Sequence, residues 1–330
     1  MAEFDKIPAQ ALAWHNAGKG AVLATVIQTW GSAPRPAGAQ LAISGTMDMA
    51  GSVSGGCVEG AVVEEAIETL ETGEPRLLKY GVSDEEAFAA GMACGGAIHI
   101  LVEPLGIGGG LPVALLEQLL AQRLARQPVA YLVRPDKWQR KIVGPEFAEI
   151  DLSPRFAADR SGFEGAWFVN IHNPPLRMVI VGAVHIAQPL VQMARLAGYD
   201  TVLVDPRTAF SSESRFPGER LVQEWPDEAL QAERLDARVA VVTLTHDPKL
   251  DDPAIRTALK SDVFYLGCLG SGRTHAKRIK RMAEAGFSSR ETDKIHAPVG
   301  ADIGAKTPAE IAISIMAEIT ERLRRPETRR

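Results

Sequence analysis

The stretch RMVIVGAVHIAQPLVQMARLAGYDTVLVDPR, residues 177–207, decides the fold. RMVIVG (177–182) is a short continuous apolar run of the kind that forms a strand covered on both faces, and TVLVDPR (201–207) is a second such run ending at Asp205. Between them, AVHIAQPLVQMARLAGY carries apolar residues at helical spacing, with an early interruption expected at Pro189. Strand, helix and strand in about 30 residues make a βαβ unit, whose two strands run parallel.

The alternation continues downstream through the strand VAVVTLTHD (239–247), the helix DDPAIRTALK, the strand DVFYLG (262–267) and the helices THAKRIKRMAEAG and TPAEIAISIMAEITERLRR. Such a pattern predicts a Rossmann-like doubly wound parallel sheet. Upstream, the elements are shorter. AVLATVIQT (21–29) and AQLAIS (39–44) read as strands around the turn GSAPRPAG, and 58–72 reads as a helix closed by Gly73. A short helix over 84–90, the turn GMACGG (91–96) and the strand AIHILVEPL (97–105) follow. A helix after GIGGG, the strand PVAYLV (128–133) and a turn-rich segment holding the strand AWFVNI complete this half. The expected architecture is α/β in two domains, an N-terminal α/β domain over 1–170 and the Rossmann-like domain over 171–330.

A chain of 330 residues with 46% hydrophobic content is long enough for two cores, and its net charge of −5 gives no electrostatic drive toward nucleic acid. No apolar run is long enough to span a bilayer, and the start MAEFDKIPAQ lacks the regions of a signal peptide. A cytoplasmic protein is expected, with no nucleic-acid or membrane partner. Cys57, Cys94 and Cys268 are odd in number and form no CxxC pair, so neither a disulfide framework nor a structural zinc site is indicated.

Gly182-Ala183-Val184-His185-Ile186-Ala187 occupies the turn where a dinucleotide-binding fold carries G-x-G-x-x-G/A. Asp205 lies at about the 20-residue separation of a ribose-binding carboxylate. Val184 replaces the glycine that lets backbone approach a pyrophosphate, so NAD(P) binding and a purely structural turn both remain open, as do ligand contact and local packing for His185. Further on, GCLGSGR (267–273) places Ser271 and Arg273 where a strand passes into a helix, and Thr245, His246 and Asp247 end the neighbouring strand on the same edge. Together they point to a crevice at the carboxyl edge of the sheet. Lys277, Arg278, Lys280 and Arg281 read as a solvated helix face, and Cys268, directly after a buried strand, as a small core residue.

GSVSGGCVEGAVVEEA (51–66) crowds small residues around Cys57 just before a helix. Two roles are open for such a thiol, an inert core cysteine beside a tight turn or a thiolate favoured by the positive end of the helix dipole.

GSAPRPAGAQLAIS, GSVSGGCVEGAVVEEA, ACGGAIHILVEPL, IVGAVHIAQPL with VDPR, and YLGCLGSGR with APVGADIGAKTPAEIAISI stand in this order along the chain. In this combination the sequence resembles the XdhC/CoxI family of molybdenum-hydroxylase accessory proteins. The resemblance implies that the chain binds molybdenum cofactor as cargo, supports replacement of an oxo by a sulfido ligand, and delivers the cofactor to a xanthine dehydrogenase-like enzyme. A cysteine desulfurase is the implied second partner, and a homo-oligomer is possible. No turnover of its own is required.

With that resemblance, Cys57 becomes the expected contact to molybdenum or protector of its sulfido ligand, and Gly55 and Gly56 the positions where backbone approaches the cofactor. Glu59 is explained by the helix N-terminus alone. Arg35 is a candidate partner of the pterin phosphate, with an ordinary turn arginine as the alternative. Cys94 is a second sulfur-handling candidate. Gly182, His185, Asp205, Ser271 and Arg273 complete the cofactor-binding set. The competing functions are an NAD(P)-dependent oxidoreductase and a scaffold that joins a cysteine desulfurase to its client.

Overall fold

The computed structural model describes residues 6–31, 35–82 and 96–325. By its internal contacts the chain divides between Pro174 and Pro175, a few residues beyond the expected boundary, because the last strand of the first unit continues to His172.

The first unit holds two antiparallel sheets, where the sequence suggested only a general α/β domain. Its elements begin with α1 (Ile7–Asn16), β1 (Ala21–Gly31), β2 (Gln40–Ser44), β3 (Met49–Gly51), α2 (Glu59–Thr72), β4 (Arg76–Val82) and β5 (Gly96–Pro104). These strands form a five-stranded sheet in the order β3-β2-β1-β5-β4. After α3 (Val113–Leu124) come β6 (Val129–Arg134), β7 (Gln139–Val143), α4 (Ser153–Ala158), β8 (Gly162–Glu164) and β9 (Trp167–His172), with the second sheet ordered β7-β6-β9-β8.

Strand β1 explains the layering. Successive side chains point to opposite faces, so Val22, Ala24 and Val26 pack with Val62 and Ala66 of α2, while Leu23 and Ile27 join a cluster with Ile7, Leu116, Tyr131 and Phe168. The five-stranded sheet is therefore covered on both sides, which is why β1 reads as an uninterrupted apolar run.

The second unit is the parallel fold. Its elements are β10 (Arg177–Val181), α5 (Ala187–Leu196), β11 (Asp200–Val204), β12 (Arg220–Val222), α6 (Pro226–Ala232), β13 (Val239–Thr243), α7 (Pro248–Leu259), β14 (Tyr265–Cys268), α8 (Gly272–Glu284), α9 (Ser289–Thr292), β15 (Ile295–His296) and α10 (Pro308–Arg324). All six strands pair in parallel in the order β12-β11-β10-β13-β14-β15. This is the doubly wound Rossmann order, with the switch in direction between β10 and β13. Met178 and Ile180 face α5 and α10, while Val179 and Val181 face α6 and α7.

Pro189 does not interrupt α5. The helix starts only at Ala187, which puts Pro189 in its first turn, where a backbone N–H has no intrahelical acceptor to lose. The expected helix over 84–90 and residues 91–95 of the GMACGG turn, including Cys94, lie outside the described residues. Among the described residues no helix is long and apolar enough to cross a membrane.

Candidate functional site

Cys57 sits at the exposed tip of the loop between β3 and α2, two residues before the helix begins. What shapes that tip is Glu59, the first residue of α2. Its Oε1 accepts from the Ser52 hydroxyl at 2.7 Å and from the backbone N–H groups of Val53 and Ser54 at 3.2 and 2.9 Å. Its Oε2 accepts from the Gly56 N–H at 2.8 Å and from the Ser54 hydroxyl. The two serine oxygens in turn accept from the N–H groups of Gly55 and Val58, at 2.9 Å each.

Partial burial opposes the charged form of Glu59, but the hydroxyls of Ser54 and Ser52 and the Ser54 N–H outweigh it and hold the carboxyl at about 2. The loop is thus wound around a permanent carboxylate that uses up its inward-facing N–H groups. Gly55 and Gly56 have φ of 75° and 114°, the left-handed region that glycine enters without strain. They turn the chain so that Cys57 projects outward. Cys57 is exposed, so it is not a buried core cysteine. Arg35 belongs to the same unit and is partly buried in the turn that leads to β2.

Sequence reasoning misses the glutamate hub. Its signal is the string S-x-S-G-G-x-x-E, two hydroxyls and two flexible residues ahead of one acid.

In the second unit Asp205 meets the turn that follows Gly182, at Ala183. Asp205 is buried, and its Oδ2 accepts from the Ala183 N–H at 2.9 Å and from the Arg207 guanidinium at 2.8 Å. Its Oδ1 accepts from Nε and the backbone N–H of Arg207, at 2.9 and 3.0 Å. Burial raises the carboxyl, yet Arg207 and the Ala183 N–H bring it below its ordinary value. A ribose would have to compete with that guanidinium. Gly182 has φ of 109°, and a Cβ there would lie 2.5 Å from Thr245 Cγ2, so the backbone conformation and the segment after β13 account for a glycine here without a ligand. Val184 packs against the core and His185 is exposed on the turn before α5.

Ser271 caps α8, accepting from the Thr274 N–H at 3.3 Å, and Arg273 is exposed in the first turn beside a cleft shared with His246 and Asp251. The solvated-face reading of the basic residues on α8 needs correction. Lys277 and Lys280 are exposed, but Arg278 is only 2% exposed and Arg281 is paired with Asp252 at 2.5 and 2.9 Å. Helix α7 covers that side of α8, which the spacing of charges along α8 could not reveal. Cys268 is fully buried, and burial pushes its thiol up to about 12, as a core cysteine requires.

Comparison with known proteins adds identity to this geometry. Residues 178–319 match the family described as the XdhC Rossmann domain, and residues 14–81 match the XdhC and CoxI family. The chain belongs to the XdhC/CoxI family. Within it, the chain is 32% identical to the protein named molybdenum cofactor insertion chaperone PaoD of Escherichia coli, over 92% of this chain and 83% of that one. It is 26% identical to a Bacillus subtilis protein named as a probable xanthine dehydrogenase subunit, over 92% and 94% of the two chains. A solved structure described as a xanthine dehydrogenase from Bacillus halodurans matches with a TM-score of 0.72 at 24% identity, covering 98% of this chain and 97% of that one. At that identity the likeness speaks to the fold. The Cys57 loop lies inside the XdhC and CoxI match and the Asp205 turn inside the XdhC Rossmann match.

Proposed function

We propose that this protein is a molybdenum cofactor chaperone, which holds the cofactor as cargo, supports its sulfuration and passes it to a xanthine dehydrogenase-like hydroxylase. The observation that carries the reading is the exposed thiol of Cys57 on a loop rigidified by Glu59, in a chain 32% identical to one named for insertion of that cofactor.

The donor set fits such a cargo. Among the described residues no three His, Cys, Asp or Glu side chains gather as a metal cage. A molybdenum atom that arrives with its own oxo, sulfido and pterin ligands needs one soft donor rather than a cage, and a thiolate is that donor. Gly56 leaves open space next to Cys57: a Cβ there would meet nothing within 4 Å. Cys57 then acts as a reversible ligand or as a shield of the sulfido group, with no bond order changed on the protein. A cysteine desulfurase would supply the sulfur and the hydroxylase would receive the product. Arg35 remains the candidate for the pterin phosphate, and the two compact units are the proposed domains.

The oxidoreductase alternative is disfavoured by Asp205, whose two oxygens are already bonded to Arg207 and the Gly182 turn. The deciding experiment purifies parent and Cys57→Ala from cells with active molybdenum metabolism and measures bound molybdenum and oxidised pterin fluorescence. Both signals in the parent and their loss from a normally folded variant are expected. Equal loading of the variant removes Cys57 from the mechanism, and partner capture without any loading in the parent supports the scaffold instead.

A further inference from the structure

A cleft in the second unit of the chain joins Arg273, expected from the sequence to touch the cofactor, to a buried Arg278 that the cargo reading does not use. It lies between the start of α7 and the first half of α8, just beyond the carboxyl ends of β13 and β14, beside the switch point of the sheet. His246, Pro248 and Asp251 line one side. Arg273, Thr274, Lys277, Arg278 and Arg281 line the other. Residues 274, 277, 278 and 281 follow the i, i+3, i+4, i+7 rule, so they form one stripe of the helix.

Arg278 is the residue that asks for a ligand. It is 2% exposed, yet only its Nη2 has an acceptor, the Leu269 carbonyl at 3.0 Å. Its Nε and Nη1 have no hydrogen-bond partner among the described residues. The buried carboxylate of Asp251 faces it at long range: Oδ2 stands 3.9 Å from Nη2 and has no hydrogen-bond partner among the described residues, while Oδ1 takes the Thr245 hydroxyl at 2.6 Å, so the charges are opposed but no hydrogen bond joins them. A guanidinium presents five donors in a planar fork, and burying it with most of them idle is costly unless an anion completes the set.

The surroundings favour such an anion. Arg281 is neutralised by Asp252, which leaves Arg273, Lys277 and Arg278 against the single Asp251. The N-terminus of α8, a helix of 13 residues, opens at the same place and adds the positive end of its dipole. His246, at the rim, holds φ of 62°, so the turn that forms the opposite wall is held in an uncommon conformation for a side-chain-bearing residue. The cleft volume is about 240 Å³, below the roughly 300 Å³ at which pockets begin to enclose drug-sized ligands. It therefore suits a small, doubly charged group rather than a whole dinucleotide.

We propose that this cleft binds a phosphoryl or diphosphoryl group, with Arg278 as the buried fork and Arg273 and Lys277 as the exposed clamps. The site is independent of whether Cys57 holds a cargo. A planar carboxylate could satisfy Arg278 alone, whereas a phosphate offers acceptors in three directions and uses all three cations.

Calorimetry with inorganic pyrophosphate, inorganic phosphate and acetate on the full-length chain tests the proposal. Saturable pyrophosphate binding that weakens with salt, and acetate binding at least about tenfold weaker, are expected. The Arg273→Ala/Lys277→Ala double variant changes only exposed side chains, keeps the parent thermal midpoint and loses at least about tenfold in pyrophosphate affinity. Arg278→Met loses binding altogether; should that variant fail to fold, the exposed pair still decides. Absence of pyrophosphate binding by the parent, undiminished affinity in the exposed double variant, or acetate binding as tight as pyrophosphate each overturns the proposal. None of these measurements involves molybdenum, so a failure here and a failure of the Cys57 experiment are read separately.

Discussion

At the scale of single residues, the candidate thiol and the residue that organises it carry different kinds of information. Cys57 stands out in the sequence as a candidate because a cysteine among glycines before a helix is chemically conspicuous. Glu59 reads in the sequence as an ordinary first-turn acid, and its five donors emerge only when the 52–58 loop folds back on it. Its carboxyl lies at about 2 in the folded chain against 4.5 for the free group, so its contribution is complete above about pH 4.5 and is lost as pH falls toward 2. Glu59→Gln, which cannot accept at its amide nitrogen, is expected to cost about 2 kcal/mol and to flatten this acid limb. Hydrogen exchange is the local measurement: the amides of Val53, Ser54 and Gly56 speed up in the variant at pH 7, and unchanged protection would show that the carboxylate does not hold the loop.

At the scale of elements, the N-terminal unit is joined by a buried ion pair that no motif announced. Arg140 on β7 donates to Glu103 on β5 at 2.6 Å, and also to the carbonyls of Trp138 and Gly109 at 3.0 and 2.9 Å. The Tyr131 hydroxyl on β6 adds bonds of 2.8 and 3.0 Å to the same carboxylate. Burial pushes the Glu103 carboxyl upward, and Arg140 and Tyr131 offset only part of that push. Arg140→Ala strands this carboxylate between the two sheets and is expected to destabilise by about 3 kcal/mol in urea unfolding. Adding Glu103→Gln to that variant restores part of the loss. A single variant as stable as the parent would mean that the pair does not bridge the sheets energetically. Arg140 and Glu103 stand 37 positions apart, and neither strand's alternation reveals that they oppose one another.

At the scale of the whole molecule, the buried clusters sort cleanly by unit. Three are built from residues before Pro174 and two from residues after Pro175. Each unit therefore owns the apolar burial that folding requires, and fragments 1–174 and 175–330 are each expected to unfold in a cooperative thermal transition when expressed alone. A fragment with no cooperative melt would refute that independence.

The sequence by itself determined the parallel unit and the family. Strand and helix periodicities are local, parallel strands force crossover helices, and the ordered glycine-rich blocks are read without any coordinates. Residues 177–207 sufficed to place β10, α5 and β11 within a few positions. The tertiary structure alone decided which polar groups meet. Asp205 has the spacing of a ribose ligand but closes on Arg207, and Arg278 has the spacing of a solvated face but lies beneath α7. A charge pattern along one helix specifies a face, whereas whether that face meets water, a carboxylate or a cleft depends on residues brought to it from elsewhere in the chain.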